Sequence, residues 1–406
     1  MMTDIATGRK PRILILGGGY AGVSAARRMI KLGLPRRAEI TLVNASPRHC
    51  LTTTTHRAIQ CPAEQERMSL SLPDLLGPDV RFVCGRVDRI DAAARQVHAD
   101  VAGDRQTWAY DLAVIALGWE NRFYGIPGLV ENALVLRNVQ DALAIGDRLE
   151  SSFRALAERP QGDWRGHVLV GGAGLTGMEV VSELAEWLPE LARDCGLDPR
   201  QVRLTLVGAF MPGFDPRLAA RAREFLQARG VTVMSEAMIE AVEPHAVRLK
   251  DGPPLPESVV IWAGGVRGSS RIEESGLAVD RSGRACVNEF LQARDQADLF
   301  LAGDCALTLD AGGRPVVQSA QFAVEEGRQA AGNIRRLLDG RPLRRFELHD
   351  LGVVVSLGRR QAVGLVRLGP LSLRVTGLAA RLVKKVADDR YLWGIGALRM
   401  GRRLPA

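Results

Sequence analysis

The chain has 406 residues, too many for one ordinary core and enough for two or three domains. At 46% hydrophobic and 25% charged residues the composition is that of a soluble globular protein, and no apolar run approaches the length of a spanning helix. The net charge of +8 sits at one end, because residues 341–406 hold 14 Lys or Arg against 4 Asp or Glu.

In chain order, the first element is the apolar run Ile13-Leu14-Ile15-Leu16, a buried strand. It leads directly into Gly17-Gly18-Gly19-Tyr20-Ala21-Gly22 and then a helical pattern. In a G-x-G-x-x-G turn of this kind the first glycine allows the tight bend and the second lets a pyrophosphate approach the backbone. The third lets helix pack on strand, so that phosphates meet the helix N-terminus. Strand Thr41-Leu42-Val43 ends in Asn44. The charged stretch from Glu150 to Arg165 reads as a helix and then a turn through Pro160 and Gly162. A second strand, Val168-Leu169-Val170, meets a second fingerprint, Gly172-Ala173-Gly174-Leu175-Thr176-Gly177. One such match is weak; two in the same context imply two dinucleotide sites and electron transfer between them. Further on, Leu299-Phe300-Leu301-Ala302 ends in Gly303-Asp304, where a carboxylate can accept a hydrogen bond from a flavin's sugar-alcohol chain. The first site is therefore expected to hold FAD and the second NADH or NADPH.

The expected fold class is α/β, with two Rossmann-like dinucleotide-binding domains, the second inserted in the first. Residues 1–126 and 284–343 form the FAD-binding domain, 127–283 the NAD(P)-binding domain, and 344–406 a basic C-terminal segment. In that segment a hairpin around Gly369-Pro370 precedes an amphipathic helix. Leu378, Leu382, Val383 and Val386 recur at helical spacing, Arg381, Lys384 and Lys385 lie between them, and Tyr391 and Trp393 follow. Such a helix suits an anionic membrane surface, or packs on the protein or a second subunit. No nucleic-acid motif accompanies the charge. The N-terminus lacks the apolar stretch of a signal peptide, so a cytoplasmic location is expected. Cys50, Cys61, Cys84, Cys195, Cys286 and Cys305 are scattered with no C-x-x-C pair, which argues against a disulfide framework, a metal site or a redox-active pair.

Over nearly its whole length the chain resembles the type II NADH dehydrogenases, single-chain NADH:quinone oxidoreductases among the two-dinucleotide-binding-domain flavoproteins. The resemblance is carried by the two fingerprints, by Tyr110-Asp111-Leu112 through Gly118, and by Gly125-Ile126-Pro127-Gly128. It continues through Trp262-Ala263-Gly264-Gly265-Val266, Gly303-Asp304, Ala320-Gln321-Phe322-Ala323 with Gly327, and Leu357-Gly358-Arg359-Arg360. It implies hydride transfer from NAD(P)H to FAD and two electrons passed on to a quinone, at the inner face of a membrane, with homodimerisation as a family-level expectation. It places Val87 at the adenine end of FAD, Glu179 near nicotinamide and flavin, and Ala320 and Gln321 beneath the flavin at the quinone pocket. Glu179 equally suits the positive end of its helix dipole.

Four departures from the family pattern stand out. Glu325 occupies the place of a second glutamine, one helical turn from Gln321. An ionised glutamate can only accept, so a proton-donor role needs a pKa raised by burial. Asn44 stands where an acid usually meets the FAD ribose. Leu206-Val207 runs into Gly208-Ala209 with no acid for the NADH ribose, and Arg217 or Arg221 are the cations in reach of an NADPH phosphate. Thr52-Thr53-Thr54-Thr55-His56 replaces a proline-containing, flavin-facing loop. Two other readings stay open. One is a relative with a changed donor or acceptor, such as a sulfide:quinone enzyme, for which Cys305 is a weak candidate. The other is a non-catalytic flavin redox sensor.

Overall fold

The computed structural model describes residues 9–61, 65–158, 166–256, 259–310 and 312–397. The turn expected through Pro160 and Gly162, and the basic end of the chain past Ala397, lie outside them.

The Ile13–Leu16 run is buried on both faces and forms the middle of a six-stranded sheet. Across that sheet the order is Gln292–Ala293, Gln296–Leu301, Leu112–Ile115, Arg12–Leu16, Glu39–Asn44 and Arg81–Cys84. All neighbours are parallel except the short edge pair at 292–301. Continuous apolar runs rather than alternation mark such strands, because both faces are covered. The helices at 20–31 and 320–338 pack on one face, and a three-stranded antiparallel sheet of Arg86–Asp91, Gln96–Val101 and Asp104–Ala109 packs on the other. A second sheet, of five parallel strands, runs Ala133–Val135, Val259–Trp262, His167–Gly171, Arg203–Val207 and Thr232–Met234. Its strands come from one continuous stretch, whereas the first sheet draws on both sides of it. A two-stranded ribbon, Trp119–Asn121 against Val266–Gly268, crosses between the two.

Three helices adjoin the two glycine turns: α1 (Tyr20–Lys31), α2 (Leu175–Asp194) and α3 (Ala320–Leu338). Helix α3 lies tightly on α1, and a Cβ added to Gly327 would sit 2.1 Å from the Ala21 carbonyl oxygen. The C-terminal part holds one strand more than a hairpin. Gly352–Leu357, Gln361–Leu368 and Leu371–Thr376 form an antiparallel meander, its first turn closed by Gly358-Arg359-Arg360 and its second by Gly369-Pro370. Helix α4 (Gly377–Ile395) then folds back over the meander and α1. It buries Ala380, Leu392 and Ile395 and leaves Leu378, Leu382, Val386 and Trp393 exposed. Protein packing and an exposed apolar face therefore occur on opposite sides of one helix.

Candidate functional site

Helices at 139–157, 216–227 and 320–338 are closed at their N-termini by side chains, Asn138, Asp215 and Ser319. Helices α1 and α2 start at Gly19 and Gly174 with no side-chain cap and no acid in the first turn. Their leading N–H groups and the positive ends of their dipoles are left for an anion. The loop geometry is the same in both. Gly17 and Gly172 have φ near +100°, and a Cβ on either would run into backbone, 2.2 Å from the Ala116 oxygen and 2.4 Å from the Ala263 carbonyl. A Cβ on Gly22 or Gly177 would lie within 2 Å of the carbonyl oxygen of Gly17 or Gly172. Gly19 and Gly174 face open space, with nothing within 4 Å. These are cradles whose one unobstructed side is where a pyrophosphate fits.

A cleft of about 300 Å³ opens at the first cradle. One wall is Gly19, Tyr20, Ala21 and Asn44; the other is Gly118, Gly303, Asp304 and Ala320. The chain thus brings residues more than 280 positions apart into one flavin-sized groove. Burial raises the pKa of Asp304 to about 6, with Arg284 opposing. Asn44 is more committed than its sequence position suggests, since its Oδ1 accepts from the Gly18 N–H at 2.8 Å and its Nδ2 donates to the Ser46 carbonyl. Val87 lies outside the cleft walls, buried in a separate three-stranded sheet. Thr52 lines the cleft. Thr54 and Thr55 donate back to the Leu51 and Thr52 carbonyls in a short 3-10 turn.

At the second cradle, Ala263 and Gly264 pass directly under the loop. Gly265 (φ +140°) is held by Arg122 and faced by Tyr124, which lies edge-on to Trp262. Leu175 and Thr176 are exposed on the first turn of α2. Gly208 has φ +125°, a region that side-chain-bearing residues rarely adopt, so the acid of the family pattern does not suit this backbone. Arg221 pairs with Glu224, and Asp215, the cap beside Arg217, is bound by Arg374 of the meander.

Glu179 is not an idle end-of-helix carboxylate. Its Oε1 accepts from Lys384 Nζ of α4 and from the Ser356 N–H at 3.1 Å, and His56 Nδ1 lies 3.6 Å from Oε2. Burial alone would raise its pKa, but the Lys384 charge, His56 and these hydrogen bonds hold it below the ordinary value. A small cavity of about 60 Å³, walled by Thr53, His56, Ser356, Lys384 and Asp388, adjoins the pair. One turn along α2, buried Glu183 has its pKa pushed up to about 7, chiefly by burial.

Gln321 and Glu325 both face His349. The Gln321 amide donates to the His349 carbonyl at 2.5 Å, and Glu325 Oε2 lies 3.9 Å from His349 Nδ1 as a buried oxygen with no hydrogen-bond partner. Burial raises the Glu325 pKa against the opposing influence of His349 and Arg328. The neighbouring Glu326 gave no sequence signal yet is the more deeply buried. It accepts from the Gly303 N–H at 2.5 Å and from the Thr308 hydroxyl at 3.0 Å, and its pKa is pushed up to about 8. Lys384, His56, His49 and Tyr391 also belong to these sites. The sequence pattern showed Lys384 and Tyr391 only as part of an amphipathic helix, His56 only as the end of the threonine loop, and His49 not at all, because their partners lie in distant segments.

Two parallel sheets, each offering a bare glycine cradle at a helix N-terminus, define a flavoprotein with two dinucleotide-binding domains. A family model described as pyridine nucleotide-disulphide oxidoreductase matches residues 11–327. Type II NADH:quinone oxidoreductases of Staphylococcus aureus and Staphylococcus saprophyticus are 34% and 32% identical over 398 residues, covering 96% of this chain and 97% of theirs. In fold, the chain is similar to NDH2 from Plasmodium falciparum solved with NADH (TM-score 0.83, 16% identity, 95% and 96% of the two chains). It also resembles the sulfide:quinone oxidoreductase of Aquifex aeolicus (TM-score 0.76, 19% identity, 98% and 93%). The chain belongs to the pyridine nucleotide-disulphide oxidoreductase family and, within it, to the type II NADH:quinone oxidoreductases.

Proposed function

We propose that the chain is an FAD-dependent NADH:quinone oxidoreductase that carries two electrons from NADH to a membrane quinone without pumping protons. The observation that carries this reading is the pair of uncapped glycine cradles, Gly17–Gly22 and Gly172–Gly177, in a chain related to such enzymes from end to end. FAD, when bound, supplies the two-electron chemistry that links a nicotinamide to a quinone. The first sheet, residues 1–126 and 284–343, would hold it, with Gly17, Gly19 and Gly22 at the pyrophosphate and Asp304 at the sugar-alcohol chain. The inserted 127–283 domain would hold the nicotinamide nucleotide at Gly172, Gly174 and Gly177. Glu179 is placed by Lys384 and Ser356 where the two halves meet α4. Gln321 and Glu325 serve the quinone side, where Glu325, with its raised pKa and free buried oxygen, can keep a proton for the reduced product.

The exposed row Leu378, Leu382, Val386 and Trp393 on α4, together with the exposed Leu368, Leu371 and Leu373 around the second turn of the meander, supports peripheral attachment to a membrane. No helix among the described residues is long and apolar enough to cross one. We place the protein at the inner face of the cell membrane; a second subunit on the same row is the competing occupant. A sulfide-type mechanism gains no support from Cys305. It is fully buried against the Ala302 and Ile115 carbonyls, with its pKa pushed up to about 12 by burial.

The deciding experiment is anaerobic mixing of the FAD-loaded protein with NADH and, separately, NADPH, followed at the flavin absorbance. Rapid bleaching by NADH and recovery on adding a short-chain quinone are expected. A flavin that neither nucleotide bleaches overturns the dehydrogenase reading and leaves a sensor or another donor.

A further inference from the structure

Two side-chain chains run from the C-terminal helix to the first glycine cradle and end on either side of Gly19. In the first, Tyr391 on α4 meets His49 Nε2 at 2.8 Å, and His49 Nδ1 meets the Gly18 carbonyl at 2.9 Å. A carbonyl can only accept, so Nδ1 carries the proton. His49 is fully buried and its pKa is lowered to about 4 by burial, so the ring is neutral, Nε2 is a bare acceptor and Tyr391 must donate. In the second, the Thr53 hydroxyl donates to Asp388 of α4 at 3.3 Å and lies 3.1 Å from the Tyr20 hydroxyl, which donates to it. Tyr20 is the first residue of α1, directly after Gly19. Its ring lies 4.6 Å from that of Tyr391 and edge-on to His49 at 5.2 Å. Asp388 and Tyr391 are three apart and share one face of α4. The Gly18 N–H is in turn taken by Asn44. Both polar backbone groups of Gly18 are therefore held by side chains, leaving Gly19 as the open position.

We propose that α4 is a working part of the flavin site. Tyr391 through His49, and Asp388 through Thr53, are positioning residues that hold the cradle around Gly19 in its anion-binding shape, so that seating of the helix and retention of FAD are linked. The physical reason is pre-organisation: a loop that must present its N–H groups to a pyrophosphate binds more tightly when its shape is already set. The inference rests on the assignment of the first cradle to FAD. Linkage is reciprocal, so whatever factor the seated helix adds to FAD affinity, bound FAD returns to the seating of the helix.

The test uses the full chain stripped of flavin and titrated with FAD, read by quenching of flavin fluorescence, together with hydrogen exchange of residues 377–395 with and without FAD. Tyr391→Phe keeps the ring and removes the donor, leaving buried His49 Nε2 without a partner; it is expected to weaken FAD binding by about 5- to 30-fold. Asp388→Ala, which removes the acceptor of the Thr53 hydroxyl, is the second variant, expected to weaken it by a few fold. In the wild type, FAD is expected to slow exchange across α4, and Tyr391→Phe to reduce that protection. An affinity within twofold of wild type in both variants, or exchange in α4 indifferent to FAD, overturns the proposal. So does a loss of thermal stability in the flavin-free chain with unchanged FAD affinity, which would mark a merely structural contact. A chain that binds FAD with the expected linkage but is not reduced by NADH sinks the function and leaves this inference standing. A chain that binds no FAD sinks both.

Discussion

Glu325 and Glu326, adjacent on one helix, stand in different surroundings. Glu325 keeps one buried oxygen free beside His349, and its raised pKa means it stays protonated further up the pH scale than an ordinary glutamate. Quinone reduction is expected to fall as pH rises through that pKa. In Glu325→Gln the limb should vanish and turnover drop on the order of 10-fold, read from steady-state rates across pH. Full turnover with an unchanged profile refutes the donor role. Glu326 is a matter of stability. Its folded pKa of about 8 lies above the unfolded value, so the folded chain holds an extra proton in between and loses stability as pH rises through that window. Glutamine can accept from Gly303 without ever ionising. Glu326→Gln is therefore expected to raise stability by about 1 kcal/mol or more at pH 9 and by little at pH 5, measured by denaturant titration. An equal effect at both values excludes the ionisation argument.

At the scale of an element, the uncapped N-termini of α1 and α2 separate folding from binding. An alanine at Gly19 or Gly174 meets nothing in the protein, and the backbone there is ordinary for any residue. Gly19→Ala should leave the flavin-free chain as stable as wild type, within about 0.5 kcal/mol, while weakening FAD binding about 10-fold or more, because the methyl occupies the phosphate's approach. Gly17→Ala should damage folding as well, since φ is +102° and the Ala116 carbonyl is in the way. Equal damage from the two substitutions would show that the open side of the cradle binds nothing. Between elements, Glu179 and Lys384 tie α2 to α4 in a mostly buried ion pair. Lys384→Met strands a buried carboxylate and is expected to cost about 3 kcal/mol, whereas joining it to Glu179→Gln should recover much of that loss. A simple sum of the two single effects would mean the pair is not coupled.

For the molecule as a whole, the proposed membrane attachment predicts that the apolar row of α4 and the basic C-terminal segment act together at an anionic lipid surface. Leu378 and Trp393 are 73% and 66% exposed, which water alone does not favour for side chains of this size. Sedimentation with vesicles containing anionic lipid should capture the protein, less so at high salt, and Leu382→Glu should reduce capture at least several-fold. Retention of Leu382→Glu on vesicles, or a salt-independent dimer that shields the row, assigns the row to a second copy.

Much of this was legible in the residue order, and for identifiable reasons. Glycine fingerprints work through backbone conformation within six residues, and buried parallel strands appear as unbroken apolar runs. Both cradles, both sheets and the family follow from local pattern. The meander's extra strand did not, because its first turn, Gly358-Arg359-Arg360, resembles a charged loop until its partners are known. Nor did the partners of Glu179, the burial of Glu326, the commitment of Asn44 to Gly18, or the approach of His49 and Tyr391 to the cradle. Each is a contact between segments far apart in the chain. Sequence alone determined that this protein is built to hold FAD and a nicotinamide nucleotide, leaving open which nucleotide. The tertiary structure decided what holds their cradle in shape, because burial and hydrogen-bond pairing exist only once distant segments meet.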